Sequence, residues 1–220
     1  MNKLHSADVL RERVGDGLKS LEIDLLSGAI DNLVRYVDLL DEWNGTYNLT
    51  AVRGTGKMIS HHILDSLSVL PYLQGKHCAD IGTGAGLPGL VLAIAEPERQ
   101  WVLIDSNQKK IRFVRYAMQT LDICNAEAIC QRVEQFHPEI PFSTIVTRAY
   151  GNIGKIIRDT AHLVPAGCRI LAMKGPKVTA ELQKLGNCTE KIQILSHTLH
   201  VPGLSEDRRL VEICPITVTN

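Results

Sequence analysis

Two carboxylates set among glycines are the residues of this chain best placed to do chemistry. Asp80-Ile81-Gly82-Thr83-Gly84-Ala85-Gly86 follows Lys76-His77-Cys78-Ala79, which reads as the entry to a short strand, and precedes Leu87 to Ala95, which reads as a helix. A second apolar strand, Trp101-Val102-Leu103-Ile104, ends in Asp105. Strand, glycine turn, helix, strand and acid make half of a nucleotide-binding α/β unit. The glycine turn lets backbone pass close beneath a ligand, since a Cβ there would collide with it or forbid the φ angles needed. Asp105 falls roughly 20 residues beyond the turn, where a carboxylate can accept both hydroxyls of an adenosine ribose.

Two ligands compete for this turn. The letters Gly84-Ala85-Gly86-Leu87-Pro88-Gly89 satisfy G-x-G-x-x-G, the fingerprint of NAD-type cofactors. A pyrophosphate would lie against the turn and the helix N-terminus, however, and Asp80 would repel it. S-adenosylmethionine carries an adenosine, an ammonium and a sulfonium but no phosphate, so it suits an acid followed by three spaced glycines. On this reading Gly82 and Gly84 bring backbone against the adenosylmethionine body, and Leu87 opens the helix whose first amides face its carboxylate. Asp80 neutralises the ammonium, directly or through water. The alternatives are a helix N-cap for Asp80 and a core position for Leu87.

The elements that must hold these groups fall into two regions. Residues 1–73 read as helices only, with Leu26, Ile30, Leu33, Val34, Val37 and Leu40 at helical spacing and the pattern resuming from His61 to Leu73. Over residues 74–220, strands near 77–81, 100–104, 126–130, 143–147 and 168–173 alternate with helices near 87–95, 107–120, 152–163 and 177–185. The stretches Ile192 to Leu199 and Arg209 to Cys214 are strand-like and joined without a helix, so they should pair antiparallel. An N-terminal helical extension, then a mostly parallel sheet closed by an antiparallel strand pair, is the α/β pattern of class I S-adenosylmethionine-dependent methyltransferases. That Rossmann-like fold differs from the six-parallel-strand dinucleotide fold.

A chain of 220 residues can bury a full core. No apolar run of about 18 residues is present to span a membrane, and the charged N-terminus lacks a secretory apolar region; the expected compartment is the cytoplasm. The six cysteines show no CxxC pairing, so buried free thiols are expected rather than metal ligands. Adjacent His61 and His62 diverge by about 100° on a helix, which disfavours chelation. A formal net charge of zero argues against non-specific avidity for phosphate.

With these residues in view, the chain resembles the bacterial 16S ribosomal RNA guanine-N7 methyltransferases, the glucose-inhibited division protein B family. The resemblance runs through Trp43-Asn44 with Tyr47-Asn48-Leu49-Thr50, His62-Ile63-Leu64-Asp65-Ser66, the glycine segment with its Leu87-Pro88-Gly89 extension, Arg132-Val133-Glu134, Arg148-Ala149, Lys174-Gly175 and Arg208-Arg209. Thr147 and Tyr150-Gly151-Asn152 depart from the family's usual serine and its alanine- and serine-rich stretch. The resemblance implies S-adenosylmethionine as cofactor and 16S ribosomal RNA as substrate, within the small subunit or a precursor. It also implies adenine contacts at Val133 and Glu134, which alone would read as a solvated helix start.

Arg148 ends the fourth strand, where ligands of doubly wound sheets lie. We expect it to act both catalytically and in cofactor binding, through guanine O6, a phosphate or the cofactor carboxylate; its alternative is an ion pair anchoring the strand. The acid or asparagine with Pro-Pro-aromatic of amino-group methyltransferases is absent, as is a nearby nucleophilic cysteine. A ring nitrogen such as guanine N7, with its in-plane lone pair, needs neither. Lys109, Arg112 and Arg115 share one side of a helix, which is either a solvated face or an RNA contact, and the resemblance adds Lys174 and Arg208 as candidates for RNA contact. His62 and Asp65 share a face, so a polar contact there is expected to fix the N-terminal helices on the catalytic domain.

Overall fold

The computed structural model describes residues 3–185 and 192–215. Its strands are β1 (His77–Ile81), β2 (Gln100–Asp105), β3 (Ala126–Cys130), β4 (Thr144–Arg148), β5 (Arg169–Lys174), β6 (Ile192–Leu199) and β7 (Arg208–Pro215). They form one sheet in the order β3-β2-β1-β4-β5-β7-β6. β1 to β5 pair parallel, and β7 inserts antiparallel between β5 and β6. Strand order reverses between β1 and β4, and in open α/β sheets such a switch point opens a crevice at the carboxyl ends of the strands.

The helices are α1 (Lys3–Ser20), α2 (Ala29–Tyr47), α3 (Thr55–Met58), α4 (Asp65–Leu67), α5 (Gly89–Ala95), α6 (Gln108–Thr120), α7 (Ile153–Thr160) and α8 (Val178–Leu185). Side chains alternate across each strand, so neighbours such as Ile145 and Val146 feed opposite cores. One core joins Val146 and Leu103 to Leu90 of α5, Phe113 of α6 and Leu33, Val37 and Leu40 of α2. The other joins Ile81, Ile145 and Ile170 to Ile153 and Ile156 of α7. The N-terminal helices therefore occupy the same layer as α5 and α6. Tyr36 of α2, wholly buried, reaches through that layer and donates to Ala85 O at 2.7 Å, bracing the glycine turn.

Several local expectations need correction. The helical stretch expected from His61 to Leu73 is a π-helical turn (Ile59–Leu64), then α4, then a 3₁₀ turn (Leu70–Tyr72). Pro71 supplies no amide to continue a helix. α5 begins at Gly89, two residues after Leu87, whose amide donates to Thr83 O within the turn. Of the cysteines, Cys78 and Cys168 are buried, Cys124 and Cys130 are exposed and Cys214 is half-buried; Cys188 lies outside the described residues. Among the described residues no helix is long and apolar enough to cross a membrane.

Candidate functional site

Two clefts at the carboxyl ends of the strands share one residue, Ala149. The first has a volume of about 250 Å³ and brings together Gly82, Asp105, Val133 and Glu134 with Lys110 and Tyr150. Gly82 and Thr83 donate to Ile104 O at 2.8 and 3.0 Å, which fastens the turn to the end of β2. Asp105 is held by backbone: Gly84 N donates to its Oδ2 at 2.9 Å and Asn107 N to its Oδ1 at 2.8 Å. Each carboxylate oxygen keeps a lone pair for a ligand hydroxyl. Gly82 has φ +68°, and a Cβ there would fall 2.6 Å from Cδ2 of Tyr150. The Tyr150 ring is fixed in turn by its hydroxyl, which donates to buried Asp159 at 2.9 Å, and by Lys155 above its face.

Asp80 is placed beneath the turn and not in the cleft. Its side chain is wholly buried, and Oδ2 accepts from Thr83 Oγ1 at 2.7 Å and from Gly89 N at 2.8 Å. It thereby satisfies the first amide of α5 from nine residues away, while the N-cap position itself is Pro88. A Cβ at Gly89 would lie 2.6 Å from Asp80 Cβ, so only glycine lets the helix approach this closely. Burial raises the Asp80 pKa to about 6, against the opposing pull of the Thr83 and Gly89 bonds. Its Oδ1 is buried without a partner. Leu87 is likewise a buried core residue with its amide satisfied, and supports the turn from behind.

The second cleft, about 440 Å³, is lined by Thr50, His61, His62, Asp65, Arg148, Lys174, Arg208 and Arg209 among others. Arg148 belongs to this cleft. Its Nη1 donates to Asp65 Oδ2 at 2.8 Å and to His61 O at 3.0 Å. Arg208 Nε donates to the other Asp65 oxygen at 3.2 Å. The sequence pair His62 and Asp65 makes no direct bond; Asp65 is paired with Arg148, and the His62 ring lies beside that guanidinium with Nδ1 3.5 Å from Nη2. Asn44, buried on α2, accepts from Thr50 N at 2.9 Å and donates to Val52 O at 3.2 Å. That pins the loop so that Thr50 Oγ1 lies 2.9 Å from His62 Nε2. Since His62 Nδ1 faces His61 O at 2.9 Å, Nδ1 carries the proton and Nε2 accepts from Thr50. Burial, aided by the Arg148 charge, lowers the His62 pKa to about 4, so the ring is neutral near pH 7. Lys174 is committed to Glu181, at 2.9 Å, and to Gly151 O. No group of three His, Cys, Asp or Glu residues able to hold a metal occurs among the described residues.

The clefts also show roles that the sequence motifs did not disclose. Ala149 carries φ +57°, which turns the chain sharply after β4 and places it between the clefts; nothing in an alanine signals this. The Trp43-Asn44 and Tyr47 to Thr50 segments were visible as motifs, yet that Asn44 pins the loop carrying Thr50 to His62 needs the fold.

A switch-point cleft under a glycine turn, an acid closing β2, and a sheet ending in an antiparallel pair define a class I methyltransferase. Two solved structures show the likeness of fold. Cofactor-bound Rv0187 from MTB aligns with TM-score 0.60 at 16% identity, over 83% of this chain and 89% of that one. The ribosomal protein L11 methylase of Lactobacillus delbrueckii subsp. bulgaricus aligns with TM-score 0.52 at 14% identity, over 69% and 76%. Residues 29–211 match the family described as GidB, rRNA small subunit methyltransferase G, and the chain belongs to that family. The ribosomal RNA small subunit methyltransferase G of Laribacter hongkongensis (strain HLHK9) is 40% identical over 204 residues, 93% of this chain and 98% of that protein. The methyl donor is accordingly S-adenosylmethionine, and the NAD alternative is set aside.

Proposed function

We propose that the protein methylates N7 of a guanine in 16S ribosomal RNA, presented in the cytoplasm by the small subunit or its precursor. The observation that carries this is the pair of clefts meeting at Ala149, one floored by the glycine turn and holding Asp105 and Glu134, the other lined by Arg148, Arg208 and Arg209. Residues 1–73 form the helical extension that contributes Thr50, His61, His62 and Asp65 to the basic cleft; residues 74–220 form the methyltransferase domain.

The residues present fit the cofactor. Asp105 would receive the ribose hydroxyls with its free lone pairs, Val133 and Glu134 would receive the adenine edge, and the Gly82 and Gly84 backbone would face the rest of the molecule. Leu87 and Asp80 hold the turn's shape, and the unpartnered Asp80 Oδ1 offers a further acceptor beneath it, suited to an ammonium reached through water. S-adenosylmethionine, when bound, supplies an electrophilic methyl carbon on sulfur. Guanine N7 would attack that carbon with a lone pair already in the ring plane; the carbon–sulfur bond would break with its electron pair kept by sulfur as a neutral thioether, and the positive charge would pass to the guanine, so no side chain need remove a proton. The protein's task is alignment and exclusion of water. Arg148 has five N–H donors, and those not spent on Asp65 and His61 O are available for guanine O6, a phosphate or the cofactor carboxylate. Donation to N7 itself would occupy the attacking pair.

The test is methylation of ribosomal RNA from a strain lacking the gene, with labelled cofactor and nucleoside analysis. Label in 7-methylguanosine of 16S RNA is expected. Substrates offered as naked RNA and as assembled subunits separate the two presentations. A cofactor-binding protein that leaves no label on either would be a non-catalytic assembly or division factor.

A further inference from the structure

Neither cleft accounts for an aromatic face on the layer of α2 and α6. Trp43 of α2 lies 5.2 Å from Tyr47 and 4.9 Å from Tyr116 of α6, centroid to centroid. Its inner side rests 5.5 Å from Phe113, which is wholly buried, so the group is anchored. Tyr47 and Tyr116 are nonetheless 40% and 41% exposed, among few large apolar side chains so open to solvent. Lys109, Arg112 and Tyr116 recur at spacings that place them along one face of α6. Arg115 is committed to Ala128 O, whereas Lys109 and Arg112 are exposed. The stripe starts beside the cofactor cleft, which Lys110 lines, and runs about 10 Å along the helix.

We propose that Trp43, Tyr47 and Tyr116, edged by Lys109 and Arg112, form a second RNA-binding surface that stacks unpaired bases flanking the modified guanine. This rests on the reading of the protein as an RNA methyltransferase. Exposed aromatic rings beside cations are the means by which proteins hold single-stranded RNA. Asp41 and Glu42 on the same helix and the zero net charge keep diffuse phosphate attraction weak, so stacking supplies the affinity. A second copy of the chain is the competing occupant.

The test uses the full-length protein and small ribosomal subunits from a strain lacking the gene. Tyr47→Ala and Tyr116→Ala should each raise KM for the subunit about ten-fold, within the range of one lost base stack. Turnover at saturation and cofactor affinity should not change, and Tyr116→Phe should restore KM. Unchanged KM in both alanine variants overturns the proposal. So does a change of oligomeric state with KM intact, which would assign the face to a second copy. Tryptophan fluorescence separates this result from failure of the methyltransferase reading. Trp101 is 1% exposed, so quenching reports on half-buried Trp43. If the wild-type protein binds subunits without methylating them, quenching that is lost in Tyr116→Ala still supports the surface. Binding without quenching refutes it.

Discussion

Replacing Asp65 with asparagine tests whether the basic cleft is held by its own electrostatics. Asp65 is 3% exposed and each of its oxygens receives a different arginine, Arg148 from the end of β4 and Arg208 from the start of β7. Asparagine keeps the shape but presents one amide group as a donor toward a guanidinium that is also a donor. Removing one partner of a buried pair costs about 3–5 kcal/mol. The arginine side chains are 18% and 22% exposed, and water offsets part of their loss, so about 3 kcal/mol is the figure to expect. At about 2–4 °C per kcal/mol for a chain of this size, the midpoint of thermal unfolding should fall by about 6–12 °C. Methylation of subunits at a temperature where the variant is folded should fall at least ten-fold, because Arg148 and Arg208 lose their common anchor. Cofactor affinity by calorimetry should change less than two-fold, since Asp65 lines only the neighbouring cleft. A midpoint within about 2 °C of wild type would mean that solvent already screens the triad, and the reasoning would fail. Loss of cofactor affinity at full stability would assign the free Arg148 donors to the cofactor carboxylate rather than to the RNA.

Two further outcomes follow from the glycine turn and the buried titrating groups. Gly82→Ala should weaken cofactor binding at least ten-fold, because its Cβ would fall 2.6 Å from the Tyr150 ring at a φ of +68°. Adding Tyr150→Ala should recover part of the loss, and titrations showing no recovery would mean the clash is not with Tyr150. Asp80, raised from 3.8 to about 6, contributes stability that is present below its unfolded pKa and lost as pH rises toward 6. His62, lowered from 6.5 to about 4, contributes stability that is present above 6.5 and lost as pH falls toward 4. Between about pH 4 and 6 these slopes oppose, each at most about 1.4 kcal/mol per pH unit. Relative to wild type, Asp80→Asn should therefore gain stability as pH rises from 4.5 to about 6, and His62→Gln should lose it. Urea titrations with parallel profiles for the two variants would refute both assignments.

Which parts of this protein were legible in its sequence follows from the range of the interactions that build them. Each parallel strand and most of the helices over residues 74–185 lie within a residue or two of their expected positions, because alternation and helical spacing are local signals. The glycine turn and Asp105 were legible for the same reason: their bonds, Gly84 N to Asp105 and Gly82 N to Ile104 O, serve a single β-α-β unit. The basic cleft depends on distant partners. Arg148 and Asp65 are 83 residues apart, and Arg208 and Asp65 are 143 apart. Motif reading could name these residues but could not show that one carboxylate gathers both arginines. Asp80 is the instructive case. The same carboxylate two residues before a glycine can face a ligand or turn under the helix that follows, and composition does not distinguish them. Gly89 decides it: only a residue without a Cβ lets α5 settle within reach of Oδ2, so the third glycine of the G-x-G-x-x-G frame serves packing between helix and strand. A fingerprint shared with dinucleotide sites therefore reports a geometric need, close contact between helix and strand, that any nucleoside cofactor of this fold shares. The choice among such cofactors is made elsewhere in the cleft.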